Sequence, residues 1–136
     1  MPRANEGSGR RQARERALSL LYEAEAKGVE PGAVVADLPV APDEYATVLA
    51  EGVGVHAPQL DEIIARHARG WTLASLPAID RTVLRIAAFE LAHRPDVPTA
   101  VAISEAVALA KQFSTEDSGR FVNGVLSQLA RELRPS

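Results

Sequence analysis

The chain has 136 residues, 18 acidic and 15 basic side chains, a net charge of −3 and no cysteine. That length suits one domain, or two small subdomains on a shared core, without covalent staples. The missing cysteine excludes disulfides, thiolate zinc sites and a cysteine nucleophile. No apolar run of about 18 residues occurs, and the N-terminus lacks the apolar core of a secretion signal, so a cytoplasmic protein is expected.

Charge is unevenly placed along the chain. Arg3, Arg10, Arg11, Arg14 and Arg16 stand against Glu6 and Glu15, giving +3 over the first 16 residues and −6 over the rest. Such segregation fits an anionic partner at one end, although a codon bias toward G and C would supply the same arginines without function.

Residues 1–9 contain Pro2, Gly7, Ser8 and Gly9, carry little apolar surface and are expected to form a flexible basic arm. From about Arg10 the period becomes helical, with Ala13, Ala17, Leu20, Leu21 and Ala24 on one face and an end near Gly28. Arg11, Arg14, Leu18 and Tyr22 share its flank as a contact strip. The same strip also reads as two apolar side chains packed on a neighbouring helix beside solvated arginines. The Pro- and Gly-rich stretch 28–43 is a connector with at most a short helix over Ala33 to Asp37.

Pro42 and Asp43 open a long helix that keeps a 3.6 period from Tyr45 to His67, with a kink expected at Pro58. His56 and His67 fall on its apolar face three turns apart, too far for one metal, and read as satisfied interior histidines. Gly70 breaks the helix, and Thr72 or Ser75 is a candidate N-cap for the next one. The most apolar helix, Ile79 to about His93, should be central. Glu90 lies on its main stripe and is expected in a buried ion pair or cap.

Pro95 and Pro98 bracket a tight connection into an amphipathic helix bearing Ile103, Ala106, Val107, Ala110 and Phe113. Ser114 with Asp117 has capping-box spacing for a last helix. In that helix Val122, Val125, Leu126, Leu129, Ala130 and Leu133 make one stripe, while Phe121 falls well off its centre. A large aromatic held there, after Arg120 and before Asn123-Gly124, suits contact with a nucleobase, a second bundle or another copy of the chain. Every periodic signal is helical, so the fold class is all-α with six or seven helices.

Phosphate-binding glycine loops, dinucleotide fingerprints, paired-histidine zinc motifs and nucleophile elbows are absent. No cofactor and no enzymatic activity are therefore expected. What remains is surface chemistry: arginines that neutralise phosphates and an aromatic that stacks on an unpaired base, a combination suiting single-stranded RNA better than duplex DNA.

Several segments in register resemble the NusB family of bacterial transcription antitermination factors. These are Arg10 to Leu18, Ile79 to Leu91, Asp96-Val97-Pro98, Val101 to Lys111, and Glu116-Asp117-Ser118 followed by Phe121-Val122-Asn123-Gly124-Val125-Leu126. The resemblance covers about residues 10–130. It implies two three-helix bundles in one compact domain, 10–69 and 70–136, after the arm at 1–9. It also implies binding of boxA-type RNA together with the ribosomal protein NusE, within the RNA polymerase antitermination complex on ribosomal RNA operons.

By position, Arg10, Arg11 and Arg14 match the family's RNA-contacting arginines and Phe121 its base-contacting aromatic. Asp117 and Arg120 lie in the loop associated with RNA binding and complex formation. Tyr22 and Asp80 match the NusE-facing surface, beside which Leu18 is also a candidate partner contact. Gln12 stands where other members carry a third consecutive arginine, and Gly119-Arg120 where the pair is often more basic. Gly70-Trp71-Thr72-Leu73 resembles the actinobacterial branch, in which homodimers are known, so a homodimer is an alternative assembly.

Competing expectations are a helical protein-interaction adapter without RNA binding and a NusB-like domain of the kind found in ribosomal RNA methyltransferases. The chain ends at Ser136 with no Rossmann-like segment, so a stand-alone factor is expected.

Overall fold

A computed structural model describes residues 2–135, with side chains from Gly9 onward. It contains six α-helices and no strand among the described residues: α1 (Pro2–Lys27), α2 (Pro31–Ala36), α3 (Glu44–His67), α4 (Ala78–His93), α5 (Thr99–Phe113) and α6 (Glu116–Leu133), with a 3-10 turn at Leu73–Ser75. The all-α expectation is met. Helix α1 starts ahead of the boundary expected at Arg10, with Pro2 in its first turn, where its missing N–H is no loss. Met1 and the side chains of residues 2–8, including Arg3, lie outside the described residues.

The chain forms two compact units, Met1–Val55 and His56–Ser136. The division falls inside α3, whereas the resemblance implies a boundary at 69–70. In the first unit α1 packs on α2, and Ala13, Ala17, Leu20, Leu21 and Ala24 are buried as their period requires. Helix α1 ends at Gly28, whose φ of 67° an L side chain would resist. The Gly28 and Val29 amides donate back to Glu25 and Ala24, the C-terminal pattern that satisfies otherwise orphaned carbonyls. Helix α2 begins at Pro31 rather than Ala33, since proline is pre-set for a helix's first turn.

In the second unit α4, α5 and α6 pack against one another around Val83, Leu84, Leu109, Ala110, Val122, Leu126 and Leu129, all buried. Leu60 and Ile64 of α3 are fully buried too, and Arg85 of α4 reaches Asp61 of α3 through two hydrogen bonds of 2.7 and 3.0 Å. The expectation that α4 is central holds, since ten of its residues are buried, Glu90 among them at 1% exposure.

Arg134 closes the unit. Its guanidinium donates to the carbonyls of Glu90, Leu91, Arg94 and Val97 at 2.6–3.0 Å and to Thr99 Oγ1 at 3.2 Å. One side chain from beyond α6 thereby satisfies the end of α4 and the start of α5, groups that a helix cannot pair internally.

Three local expectations are corrected. His56 and His67 are partly exposed rather than interior: His56 stacks on His93 with ring centroids 3.9 Å apart, and His67 pairs with Glu132 at 2.8 Å. The cap of α6 is Thr115, not Ser114, and its partner three residues on is Ser118 instead of Asp117. Gly119, taken as a thinned part of a basic edge, is buried on α6, where a Cβ would come within 2.7 Å of the Lys111 side chain on α5.

Candidate nucleic-acid interface

The start of α6 is built by a chain of hydroxyls. Thr115 Oγ1 accepts the Ser118 amide at 3.0 Å, and Ser118 Oγ donates its only proton to Asp80 Oδ2 at 2.8 Å. The Ser114 and Thr115 hydroxyls, 2.9 and 3.1 Å from Ser118 Oγ, must therefore both donate to it. This network joins the first turns of α4 and α6. Asp80 is 4% exposed, so the expectation that it stands on a partner-facing surface is corrected. The Ser118 hydroxyl draws it inward, while its Oδ1 is buried with no hydrogen-bond partner.

Phe121, one turn into α6, is half-buried, as its offset from the apolar stripe suggests. Trp71 meets it edge to face with ring centroids 6.0 Å apart and is itself 51% exposed. The Gly70 φ of 80° ends the α3 segment and turns the chain into Trp71. Arg81 then holds the following turn by donating to the Leu73 and Leu76 carbonyls at 2.9 and 2.7 Å.

Phe121 lies between two depressions. One, of about 190 Å³, is lined by Trp71, Leu76, Pro77, Asp80, Thr115, Asp117, Ser118 and Phe121. The other, of about 320 Å³, is lined by His67, Arg69, Arg120, Phe121, Gly124 and Gln128. Arg120 is exposed and ion-paired with Asp117 one turn before it. Asp80, Asp117, Arg120 and Phe121 are thus brought together around one aromatic pair.

The first unit carries the other candidates. Arg10 lies over the Tyr45 ring at 4.3 Å and Arg14 within 5.9 Å of it, distances at which a guanidinium is attracted to the ring face. Arg11 is exposed and Arg10 half-buried. Arg14 and Leu18, expected on an accessible strip, are buried at 3% and 4% exposure. The buried face of α1 is two rows wide: Arg14, Leu18 and Leu21 lie beside Ala13, Ala17, Leu20 and Ala24. The strip is split, with Arg11 and Tyr22, the latter 46% exposed, on the outside.

Sequence reasoning missed Trp71, Tyr45 and Ser118. Trp71 had a usable signal, a lone tryptophan directly after a helix-ending glycine. The Arg10–Tyr45 and Asp80–Ser118 pairings span distant parts of the sequence and leave no local trace.

No helix among the described residues is long and apolar enough to cross a membrane. A model of the NusB family matches residues 11–131. NusB from Thermotoga maritima is 31% identical, with a TM-score of 0.82 over 90% of this chain and 91% of that one. NusB from Aquifex aeolicus, solved in solution, is 31% identical with a TM-score of 0.72 over 93% and 92% of the two chains. A chain from a crystal structure of the antitermination factors NusB and NusE in complex with double-stranded RNA is 29% identical, with a TM-score of 0.73 over 90% and 96%. A family match across most of the length, with likeness to these structures over nine-tenths of each chain, means that the chain belongs to the NusB family.

Proposed function

We propose that the chain is a non-catalytic transcription antitermination factor. In this reading it binds boxA-type single-stranded RNA together with NusE, as part of the RNA polymerase antitermination complex on ribosomal RNA operons. Family membership supports the reading, as does the relative solved with NusE and RNA. The observation that carries it is the partly exposed Trp71–Phe121 pair beside a depression lined by Arg69 and Arg120. Aromatic faces take unpaired bases, and adjacent guanidinium groups take the phosphates that connect them.

The accessible cations Arg10 and Arg11 extend the phosphate-binding set, while Tyr22 is the accessible candidate for protein contact. Arg14, Leu18 and Asp80 support these surfaces from within.

Titration of labelled boxA-type RNA, with and without NusE, tests the reading. Phosphate contacts predict affinity that falls steeply with added salt, roughly in proportion to the number of contacts in a log–log plot. A protein adapter would bind NusE while giving no salt-dependent RNA signal, and that result would sink the proposal. A homodimer that masks the basic helix predicts a dimer mass without RNA and a monomer mass with it.

A further inference from the structure

The cavity beside Phe121 contains a feature that stacking and phosphate contact leave unused. Asp80 is almost fully buried, yet its Oδ1 has no hydrogen-bond partner, and Asp80 lines the cavity together with Trp71 and Phe121. Its other oxygen is committed to Ser118, whose single proton it receives at 2.8 Å. Ser118 in turn already receives the Ser114 and Thr115 hydroxyls and has no further proton to offer. The cavity wall thus includes Asp80, with its buried, unpaired oxygen, beside Thr115 and Asp117, and has no spare Ser118 donor. A buried acceptor without a donor is costly, and a ligand that supplies an N–H recovers that cost.

Size and shape narrow the ligand. About 190 Å³ is below the roughly 300 Å³ at which pockets for drug-sized ligands begin, so there is room for a flat ring but not for its sugar and phosphate. Two aromatic rings line the same space and favour a flat π-face. The wall acceptor distinguishes among bases. Cytosine, adenine and guanine offer an exocyclic amino group, whereas uracil offers one N–H flanked by two carbonyl oxygens that a carboxyl oxygen would repel.

We infer that the Trp71–Asp80–Phe121 cavity is a selective seat for one unstacked, amino-bearing base, which donates an N–H to Asp80 Oδ1. The inference rests on the proposed RNA-binding function and adds a base preference to it. Asp80 acts as a specificity-determining residue, and Ser118 positions it by occupying its other oxygen.

Trp71 is the only tryptophan in the chain, so its fluorescence reports occupancy of the cavity directly. The full chain is titrated with oligocytidylate, with oligouridylate of equal length, and with oligo-N4,N4-dimethylcytidylate, which keeps the ring but has no amino N–H. The expected result is quenching of Trp71 by oligocytidylate, with affinity about tenfold higher than for the other two, the scale of one charge-assisted hydrogen bond.

In Asp80→Asn the Ser118 hydroxyl keeps the amide oxygen and the NH₂ group faces the cavity, so preference should invert toward oligouridylate. A thermal melt establishes that this variant is folded. If it is not, the dimethylated oligonucleotide makes the same comparison on the unaltered protein. Salt-dependent binding with equal affinity for all three oligonucleotides would overturn the base preference and leave the RNA-binding function standing. Failure of all three to bind would overturn the seat, and the titration of boxA-type RNA with NusE then decides the RNA-binding function separately.

Discussion

Phe121 and Arg14 are both candidate RNA contacts by position, but the structure gives their substitutions different expected outcomes. Phe121 is partly exposed and its intramolecular aromatic neighbour is Trp71. Phe121→Ala should therefore weaken RNA binding by about 1–3 kcal/mol, the range for one lost base stack, with little change in melting temperature. Arg14 is 3% exposed and lies near the Tyr45 ring. Arg14→Ala should cost folding stability, about 1–3 kcal/mol through lost packing and cation–π attraction, and should affect RNA only as far as the first unit loosens. Arg11→Ala, at an exposed position, should leave stability unchanged and flatten the salt dependence of binding by about one phosphate contact. Urea melts paired with RNA titrations of the three variants separate the roles; equal loss of stability in Arg11→Ala and Arg14→Ala would refute the division. Helical period alone placed Phe121 off the core, because one narrow stripe accounts for α6. It could not separate Arg11 from Arg14, because the buried face of α1 is two rows wide and the width of a face depends on what packs against it.

At the scale of elements, helix identities and most ends were legible because their signals are local: Gly28 and Gly70 as stops, Pro98 before α5, and a hydroxyl cap at Thr72. Contacts that tie one helix end to another were not, since they join residues far apart in sequence. Arg134 is the clearest case: no local pattern marks it, yet it donates to four carbonyls and a hydroxyl from residues 90 to 99. Arg134→Ala should destabilise the second unit by about 2–3 kcal/mol, since part-buried carbonyls lose a charged donor. Arg134→Lys should recover only part of that loss, because an ammonium cannot reproduce the planar fork. Chemical denaturation of the full chain gives the comparison, and a lysine variant as stable as the original would show that charge alone accounts for the clamp. At Gly119 a Cβ would meet the Lys111 side chain on α5, so a larger residue there requires that lysine to swing aside.

For the molecule as a whole, two sites contribute to the response to acid in separate windows. The His93 ring is held below its ordinary pKa of 6.5, first by burial and then by the neighbouring His56. The two rings stack at 3.9 Å, His93 Nε2 meets Gln59 Oε1 at 2.9 Å, and Phe89 lies 5.4 Å from the His93 ring. No carboxylate is among these contacts. Because the unfolded chain takes up a proton at His93 near pH 6.5 and the folded chain does so only at lower pH, the unfolded state binds more protons between those points. Stability contributed by neutral His93 is then fully present above about pH 6.5 and declines as pH falls toward the lowered folded value. Glu132 behaves differently. Hydrogen bonds first from Arg66 and then from His67 hold it below 4.5, so its contribution is present above 4.5 and is lost only in stronger acid. Melting temperature measured against pH should accordingly show an early decline beginning near 6.5 and a later one below 4.5. His93→Gln keeps a polar group at the ring's position without the titration and should remove the early decline while leaving the later one in place. If the early decline persists in His93→Gln, the stacked histidine pair is not its source, and the acid sensitivity of the chain must arise elsewhere.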